Sequence, residues 1–190
     1  MHKLTYGFVL GYHGCPQTVA KALLAGAPFK ASENDYDWLG HGVYFWEANP
    51  KRGLAFAKEA LKRKNSRKRP AVIGTVIDLG HCLDLTTEAG IDILKTAHAV
   101  LKANLDLLGR PLPVNGPNLR RLDCAVIEAA HTLASEGRDM PPFDTVKGVF
   151  VEGTEAYPGS GFNDKTHIQI AVRNPKMIKG VFRVDDELLK

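Results

Sequence analysis

The chain has 190 residues, of which 44% are hydrophobic and 24% charged, and its formal net charge at pH 7 is +4. This size fits one domain, and the composition is that of an ordinary globular protein, so a disordered, fibrous or membrane-spanning class is not expected. The apolar stretch Phe8-Val9-Leu10 near the N-terminus is too short for a signal peptide. We therefore expect a cytoplasmic protein that does not enter a membrane.

The cysteines and histidines give no sign of a disulfide framework or a metal site. Cys15, Cys82 and Cys124 are widely spaced and form no CxxC pair, and an odd number of thiols cannot all pair. The histidines are not at spacings typical of metal ligands, so no metal is expected. Because no internal repeat is present, we treat residues 1–190 as one domain, with residues 85–138 as a helical insertion.

The first half of the chain alternates short apolar runs with turns. Its patterns predict strands over residues 5–12, 43–46 and 71–79, and helices over residues 17–24 and 52–61. The polar loop 30–39 holds two aromatic side chains, Tyr36 and Trp38. After it, Gly40 and Gly42 permit a tight turn into the second strand.

The second half adds two helices and three strands. Apolar residues recur at helical spacing over residues 91–108 and 119–134, and the proline-rich residues 109–118 between them form a loop. Strands are predicted over residues 148–152, 167–172 and 180–184. Strands at both ends with helices between them indicate an α+β domain. The sequence has no GxGxxG or GxxxxGK[ST] motif, so a nucleotide would be bound by other means.

Residues 62–69, Lys-Arg-Lys-Asn-Ser-Arg-Lys-Arg, form a basic run. Such a run attracts phosphates and favours an acidic or nucleic-acid partner. The alternative, which we prefer on the sequence alone, is a solvated helix end and loop.

Three segments place polar or aromatic side chains where a strand meets a turn: Gly11-Tyr12-His13-Gly14-Cys15, Gly40-His41-Gly42-Val43-Tyr44-Phe45-Trp46-Glu47 and Thr166-His167-Ile168-Gln169-Ile170-Ala171-Val172-Arg173-Asn174-Pro175. In order and separation, the first two resemble the H-G and G-x-Y-F elements of ADP-ribosyltransferases with a His-Tyr-Glu signature, the group of diphtheria toxin and the poly(ADP-ribose) polymerase catalytic domain. The third resembles the strand of that family's catalytic glutamate. Here Gln169 occupies the glutamate position.

The resemblance implies split antiparallel sheets around a cleft that binds NAD as the donor substrate. It implies that His13 and Tyr44 bind the ribose side of NAD, and that a backbone group of Gly14 holds the nicotinamide amide. It also implies a donor loop over residues 30–39, an acceptor-recognition loop over residues 155–165 and further contacts with NAD. These further contacts come from Ser32, Trp38, Gly42, Phe45 and Phe56.

Breaking the bond between ribose and nicotinamide builds positive charge on the sugar. A carboxylate about 4 Å away is worth roughly 4 kcal/mol to such a cation, and the neutral amide of Gln169 gives much less. Either Gln169 alone supports slow transfer of a single unit, or a carboxylate comes from elsewhere. Glu152 and Glu155, on the strand and turn before the acceptor loop, are nearest in sequence, and Glu47 is a third candidate. Mono-ADP-ribosylation is therefore expected.

The expected acceptor is a macromolecule, either protein or nucleic acid. The resemblance also suggests a bacterial toxin or defence effector with a neutralising antitoxin partner. Two other functions stay open, an NAD glycohydrolase and a catalytically weak module that binds NAD or ADP-ribose. For single residues the alternatives are structural: a hydrogen-bonded His13, core aromatics at Tyr44 and Phe45, and a solvent-facing Gln169.

Overall fold

The fold is described from a computed structural model, which covers residues 8–117, 119–137 and 141–190. These residues form seven strands and four α-helices, together with two short 3₁₀ turns, Pro175–Met177 and Asp186–Leu189. The strands are β1 (Phe8–Pro16), β2 (Val43–Glu47), β3 (Pro70–Asp78), β4 (Cys82–Asp84), β5 (Thr145–Phe150), β6 (His167–Val172) and β7 (Ile178–Arg183). The helices are α1 (Gln17–Leu24), α2 (Pro50–Arg63), α3 (Glu88–Leu107) and α4 (Arg121–Glu136). The predicted α+β class is confirmed.

The described strands form one sheet in the order β4-β5-β6-β2-β1-β3-β7. Every neighbouring pair is antiparallel except β4 and β5, which are parallel. We expected split antiparallel sheets, but the strands are joined in a single mixed sheet. The junction at its centre is narrow, because β1 pairs with β3 from Phe8 to Pro16 but with β2 only through Gly11↔Glu47 and Tyr12↔Trp46.

Side chains alternate between the two faces of the sheet along each strand. We name the faces after two consecutive residues of β2, Tyr44 and Phe45. On the Tyr44 face, Ala171 of β6 packs with Ile127 of α4 in the largest core cluster. On the Phe45 face, Leu23 of α1 belongs to a second cluster against β1 and β3. Burial on both faces explains why the central strands are almost wholly apolar.

Two helix starts follow from their capping residues. The side chain of Asn49 accepts a hydrogen bond from the Arg52 amide at the start of α2, and that of Thr87 accepts from Gly90 at the start of α3. The pair Asn49-Pro50 indicates this helix start in the sequence, and α2 begins at Pro50, because proline is tolerated in the first turn. No helix in the covered parts of the chain is long and apolar enough to cross a membrane.

Most predicted elements agree with the observed ones within a few residues, and three differ in ways that matter. The first strand, predicted at 5–12, extends to Pro16 because its last residues pair with the start of β3. The short strand β4 was not predicted, since three residues are too few for a periodic pattern. The strand predicted at 148–152 covers Thr145–Phe150, so Glu152 follows the strand and does not lie in it. Residues 5–7, 118 and 138, which fall in predicted elements, lie outside the described residues.

Close packing of α2 on β1 depends on a glycine. A Cβ atom on Gly14 would overlap the carbonyl oxygen of Gly53 in α2, and backbone atoms cannot move aside as a flexible side chain would. We therefore predict that Gly14→Ala lowers the free energy of unfolding by about 1–3 kcal/mol, the usual cost of overpacking. Urea unfolding measures the change. Gly161→Ala is the control, because a Cβ there meets only open space; equal losses in both variants would contradict the packing explanation.

Candidate functional site

The three sequence segments singled out above lie on three adjacent strands. His13 is in β1, Tyr44 in β2 and Gln169 in β6, and β2 lies between the other two strands. In register, Trp46 of β2 faces Gln169 of β6 on one side and Tyr12 of β1 on the other. The segments are therefore neighbours at the centre of the sheet, although up to about 150 residues separate them in the chain.

His13 lies where β1 and β2 part. Its Nδ1–H donates to the carbonyl oxygen of Tyr44 over 2.9 Å, and its ring contacts those of Phe29 and Phe45, each with a centroid separation of 5.6 Å. Burial lowers the pKa of His13 and outweighs the opposing effect of the Tyr44 carbonyl, so the ring is neutral at pH 7. With Nδ1 as the donor, Nε2 carries the lone pair and is a hydrogen-bond acceptor.

Tyr44 is held differently and on the other face. Its hydroxyl donates to the carbonyl oxygen of Gly40 over 2.8 Å and accepts from the amide of Leu39 over 3.0 Å. Burial and the charge of Asp37 raise the pKa of this hydroxyl well above its ordinary value, so it remains protonated. Because Phe45 contacts the His13 ring, the side chains of His13 and Tyr44 point to opposite faces of the sheet. The structure brings their backbones together but not their side chains.

Gln169 is buried beneath the loop that precedes β2. Its side chain, 9% exposed, accepts a hydrogen bond from the indole Nε1–H of Trp38 over 2.5 Å. The Trp38 ring also packs on Phe150, with a centroid separation of 4.9 Å, and lies so close to β5 that a Cβ on Gly148 would be 3.0 Å from it. Two predicted site residues, Trp38 and Gln169, are thus in direct contact.

A polar cluster beside Gln169 joins the predicted Glu152 to two residues that the sequence analysis missed, Arg52 and His167. Glu152 accepts a hydrogen bond from Arg52 of α2 over 2.6 Å and lies 3.9 Å from Nδ1 of His167. His167 donates through Nδ1 to the Lys165 carbonyl over 2.7 Å, which leaves its Nε2 as a bare acceptor. Strand alternation could have identified His167, which lies two residues before Gln169 and therefore on the same face.

Several buried polar atoms in this region have no hydrogen-bond partner among the residues that the structure describes. They are Nε1 of Trp46, Nε2 of His167, and Nε and Nη1 of Arg52. Most buried polar groups are paired, so unpaired ones call for an explanation such as a bound molecule or a functional role. The Trp46 ring lies between those of Phe56, at 4.7 Å, and His167, at 6.2 Å, which places these atoms in one region of the Tyr44 face.

The other residues that the resemblance assigns to NAD binding have mainly backbone or core contacts. Ser32 and Gly42 exchange two main-chain hydrogen bonds, of 2.8 and 3.0 Å, which join the loop 30–39 to the start of β2. Phe45 is fully buried beside His13, and Phe56 packs on Trp46. Phe56 therefore lies on the Gln169 side of the sheet and not on the His13 side.

The two other carboxylates proposed to complete the site are bound elsewhere. Glu155 is exposed and accepts from the Gly159 amide over 3.0 Å, within its own loop. Glu47 pairs with Lys147 over 3.0 Å, and it follows Trp46 in β2, so it lies on the Phe45 face, away from Gln169. Of the three candidates, only Glu152 belongs to the cluster next to Gln169.

An ion pair fixes the turn that leads into β2. One oxygen of Glu128 in α4 accepts from the His41 amide over 2.8 Å and from Arg173 over 2.6 Å. Burial alone would raise the pKa of Glu128, but these donors hold it below its ordinary value. The turn also needs Gly40, whose φ of +73° is unfavourable for other residues. Helix α4 of the insertion thus helps to position the strand that carries Tyr44.

The same region makes stability depend on pH through His131 of α4. Burial, with a contribution from Arg173, lowers the pKa of His131 to about 4. Because the unfolded chain takes up this proton near pH 6.5, stability is retained above that pH and lost as the pH falls towards 4. The free energy of unfolding should fall between pH 7 and pH 5, and we predict that this fall is about 2 kcal/mol smaller in His131→Leu than in the wild type. Urea unfolding at both pH values measures it; an unchanged pH dependence would contradict the assignment.

Among the described residues, no group of three histidine, cysteine, aspartate or glutamate side chains is arranged to hold a metal ion. No protein-family model, no curated protein and no solved structure matches this chain.

Proposed function

We propose that the protein is an NAD-dependent mono-ADP-ribosyltransferase that transfers one ADP-ribose unit to a macromolecular acceptor. The observation that carries the proposal is the adjacency of β1, β2 and β6, the strands of the three segments that resemble the His-Tyr-Glu family. Segments far apart in the chain meet at the centre of the sheet. If the similarity of the three short motifs arose by chance, their strands would not have to be neighbours in the sheet.

The state of His13 supports a role in holding a sugar. A neutral imidazole whose Nδ1–H is used by the Tyr44 carbonyl presents Nε2 as an acceptor, and ribose hydroxyl groups are hydrogen-bond donors. The lowered pKa keeps this acceptor available at pH 7. Just beyond His13, Gly14 pairs with β3 but not with β2. The pairing between the two halves of the sheet therefore ends before Gly14, the residue proposed to hold the nicotinamide amide.

The surroundings of Gln169 suit slow transfer of single units. Its amide can bind a ribose hydroxyl but lacks the charge that stabilises an oxocarbenium-like sugar. The nearby carboxylate of Glu152 is paired with Arg52, which offsets its charge. In the proposed reaction the bond between ribose C1′ and the nicotinamide nitrogen breaks, and the electron pair leaves with nicotinamide. The acceptor adds at C1′ and loses a proton.

Trp38 controls access to Gln169 in this proposal. Its indole N–H donates a hydrogen bond to the side-chain oxygen of Gln169, the same atom that would accept a hydrogen bond from a ribose hydroxyl. Trp38 belongs to the loop 30–39, much of which is exposed, so we expect the loop to move when NAD binds. The same contact favours one alternative function. If Trp38 stays on Gln169, the protein is a module that binds NAD or ADP-ribose without turnover.

The test is incubation of the protein with NAD labelled in its adenosine half and a cell lysate, measuring labelled macromolecules and free nicotinamide. We predict labelling by the wild type and at least about tenfold less with His13→Ala, as expected for the loss of a binding contact. Tyr44→Ala should reduce labelling as much, because it also removes the hydroxyl that bonds Leu39 and Gly40 in the turn before β2. Gln169→Glu should release nicotinamide faster, by up to about a thousandfold, because it restores a charge worth roughly 4 kcal/mol.

Matched controls separate site effects from folding effects. His98→Ala removes a histidine on α3, and Leu107→Ala removes an exposed large side chain at the end of that helix; both should label like the wild type. Thermal unfolding of every variant shows whether it is folded. Labelling that persists in both His13→Ala and Tyr44→Ala would refute the site. Nicotinamide release without a labelled macromolecule would identify an NAD glycohydrolase, and NAD binding without release would identify a binding module.

A further inference from the structure

The basic run at residues 62–69 is solvent-exposed and unpaired. Its six cationic side chains are all exposed. Within residues 8–117, 119–137 and 141–190, none of the six has a carboxylate at ion-pairing distance. They are Lys62, Arg63, Lys64, Arg67, Lys68 and Arg69. A helix end that is merely solvated usually carries charges of both signs, whereas this segment carries one sign only.

The fold joins this segment to a groove that carries two more cations. The carbonyl oxygen of Arg69 accepts from the amide of Gln17 over 2.8 Å, which fixes the end of the run against the start of α1. There, α1, the start of β3 and the end of β7 enclose an open groove of about 440 Å³. Lys21 and Arg183 line it, and neither forms an ion pair with a described residue. We call these eight cations the basic surface.

Acidic residues near the basic surface do not neutralise it. The nearest in sequence to Arg183 are in the segment Asp185–Glu187, whose 3₁₀ turn packs on α2. The Asp185 side chain accepts from the amide of Glu187, and the Glu187 carboxylate pairs with Lys190 at 3.8 Å. These carboxylates therefore interact within their own segment.

We propose that the basic surface binds the phosphate backbone of nucleic acid without regard to sequence. Six exposed cations in one run and two more in the adjoining groove, none of them paired with a described carboxylate, match a polyanion, and arginine guanidinium groups can bind phosphate oxygens in pairs. Neither the run 62–69 nor the lining of the groove includes an aromatic side chain, so bases have no ring on which to stack, and contact with the backbone is favoured.

This inference does not rest on the proposed function, because none of the eight cations belongs to the strand segments that carry His13, Tyr44 and Gln169. If both hold, nucleic acid is the macromolecule on which the protein acts. The binding should depend strongly on salt: neutralising about six phosphates makes the affinity fall by about a thousandfold between 50 and 200 mM salt.

The experiment measures binding of fluorescent duplex DNA and single-stranded RNA, each in two unrelated sequences, by anisotropy and without NAD. We predict that the full chain binds both sequences of a pair equally. The variant R67Q/K68Q/R69Q should bind at least about tenfold more weakly, with a salt slope smaller by about 3. The control variant K30Q/R110Q/K176Q removes the same charge from exposed positions outside the surface and should bind like the wild type.

Three results would overturn the proposal. One is the absence of binding at 50 mM salt, and another is an equal loss in the two triple variants, which would mean that only net charge matters. The third is tighter binding to vesicles of anionic phospholipid than to either nucleic acid. Because the assay contains no NAD, such a failure would leave the proposed transferase activity untested and intact. Conversely, loss of NAD turnover in His13→Ala with normal binding of nucleic acid would separate the two claims.

Discussion

The architecture depends on how the short strand β2 joins the two halves of the sheet. It pairs with β6 along four residues, Val43 to Trp46, but with β1 through only two residue pairs. Where that ladder ends, the His13 imidazole donates to the Tyr44 carbonyl and continues the junction through a side chain. His13 can therefore be both a structural residue and a binding residue. Its Nδ1 joins the two strands, and its Nε2 presents a hydrogen-bond acceptor.

Burial determines which groups around this junction are charged. His13, His131 and His167 all have lowered pKa values because of burial, and the Tyr44 hydroxyl has a raised one. Near neutral pH, the motif residues therefore bind through neutral hydrogen-bonding groups. Beside His167, on the same face as Gln169, Arg52 and Glu152 form an ion pair whose charges largely cancel. Such a site suits recognition of a sugar better than strong stabilisation of a cation, in keeping with a slow, single-unit reaction.

Local sequence patterns predicted the α+β class and most helices and strands, because periodicity and capping act over a few residues. They did not predict the face on which each motif residue lies, which depends on register across strands. The alternation of Tyr44 and Phe45 shows that His13 and Tyr44 point apart, whereas the motif order alone suggested a shared cleft. Contacts such as Arg52–Glu152, 100 residues apart, or Trp38–Gln169, 131 apart, leave no trace in local patterns. The basic run was visible in the sequence, but its lack of ion pairs was not.

The central claim is that NAD binds where β1, β2 and β6 meet, and backbone amide shifts measured by NMR test it directly. In a titration of the isotopically labelled protein with NAD up to about 1 mM, the upper end of typical substrate affinities, the largest changes should be at Gly14, Tyr44 and Gln169. The indole signal of Trp38 should also move as it leaves Gln169. Changes confined to the groove between α1 and β7, or no saturable changes at all, would contradict the account.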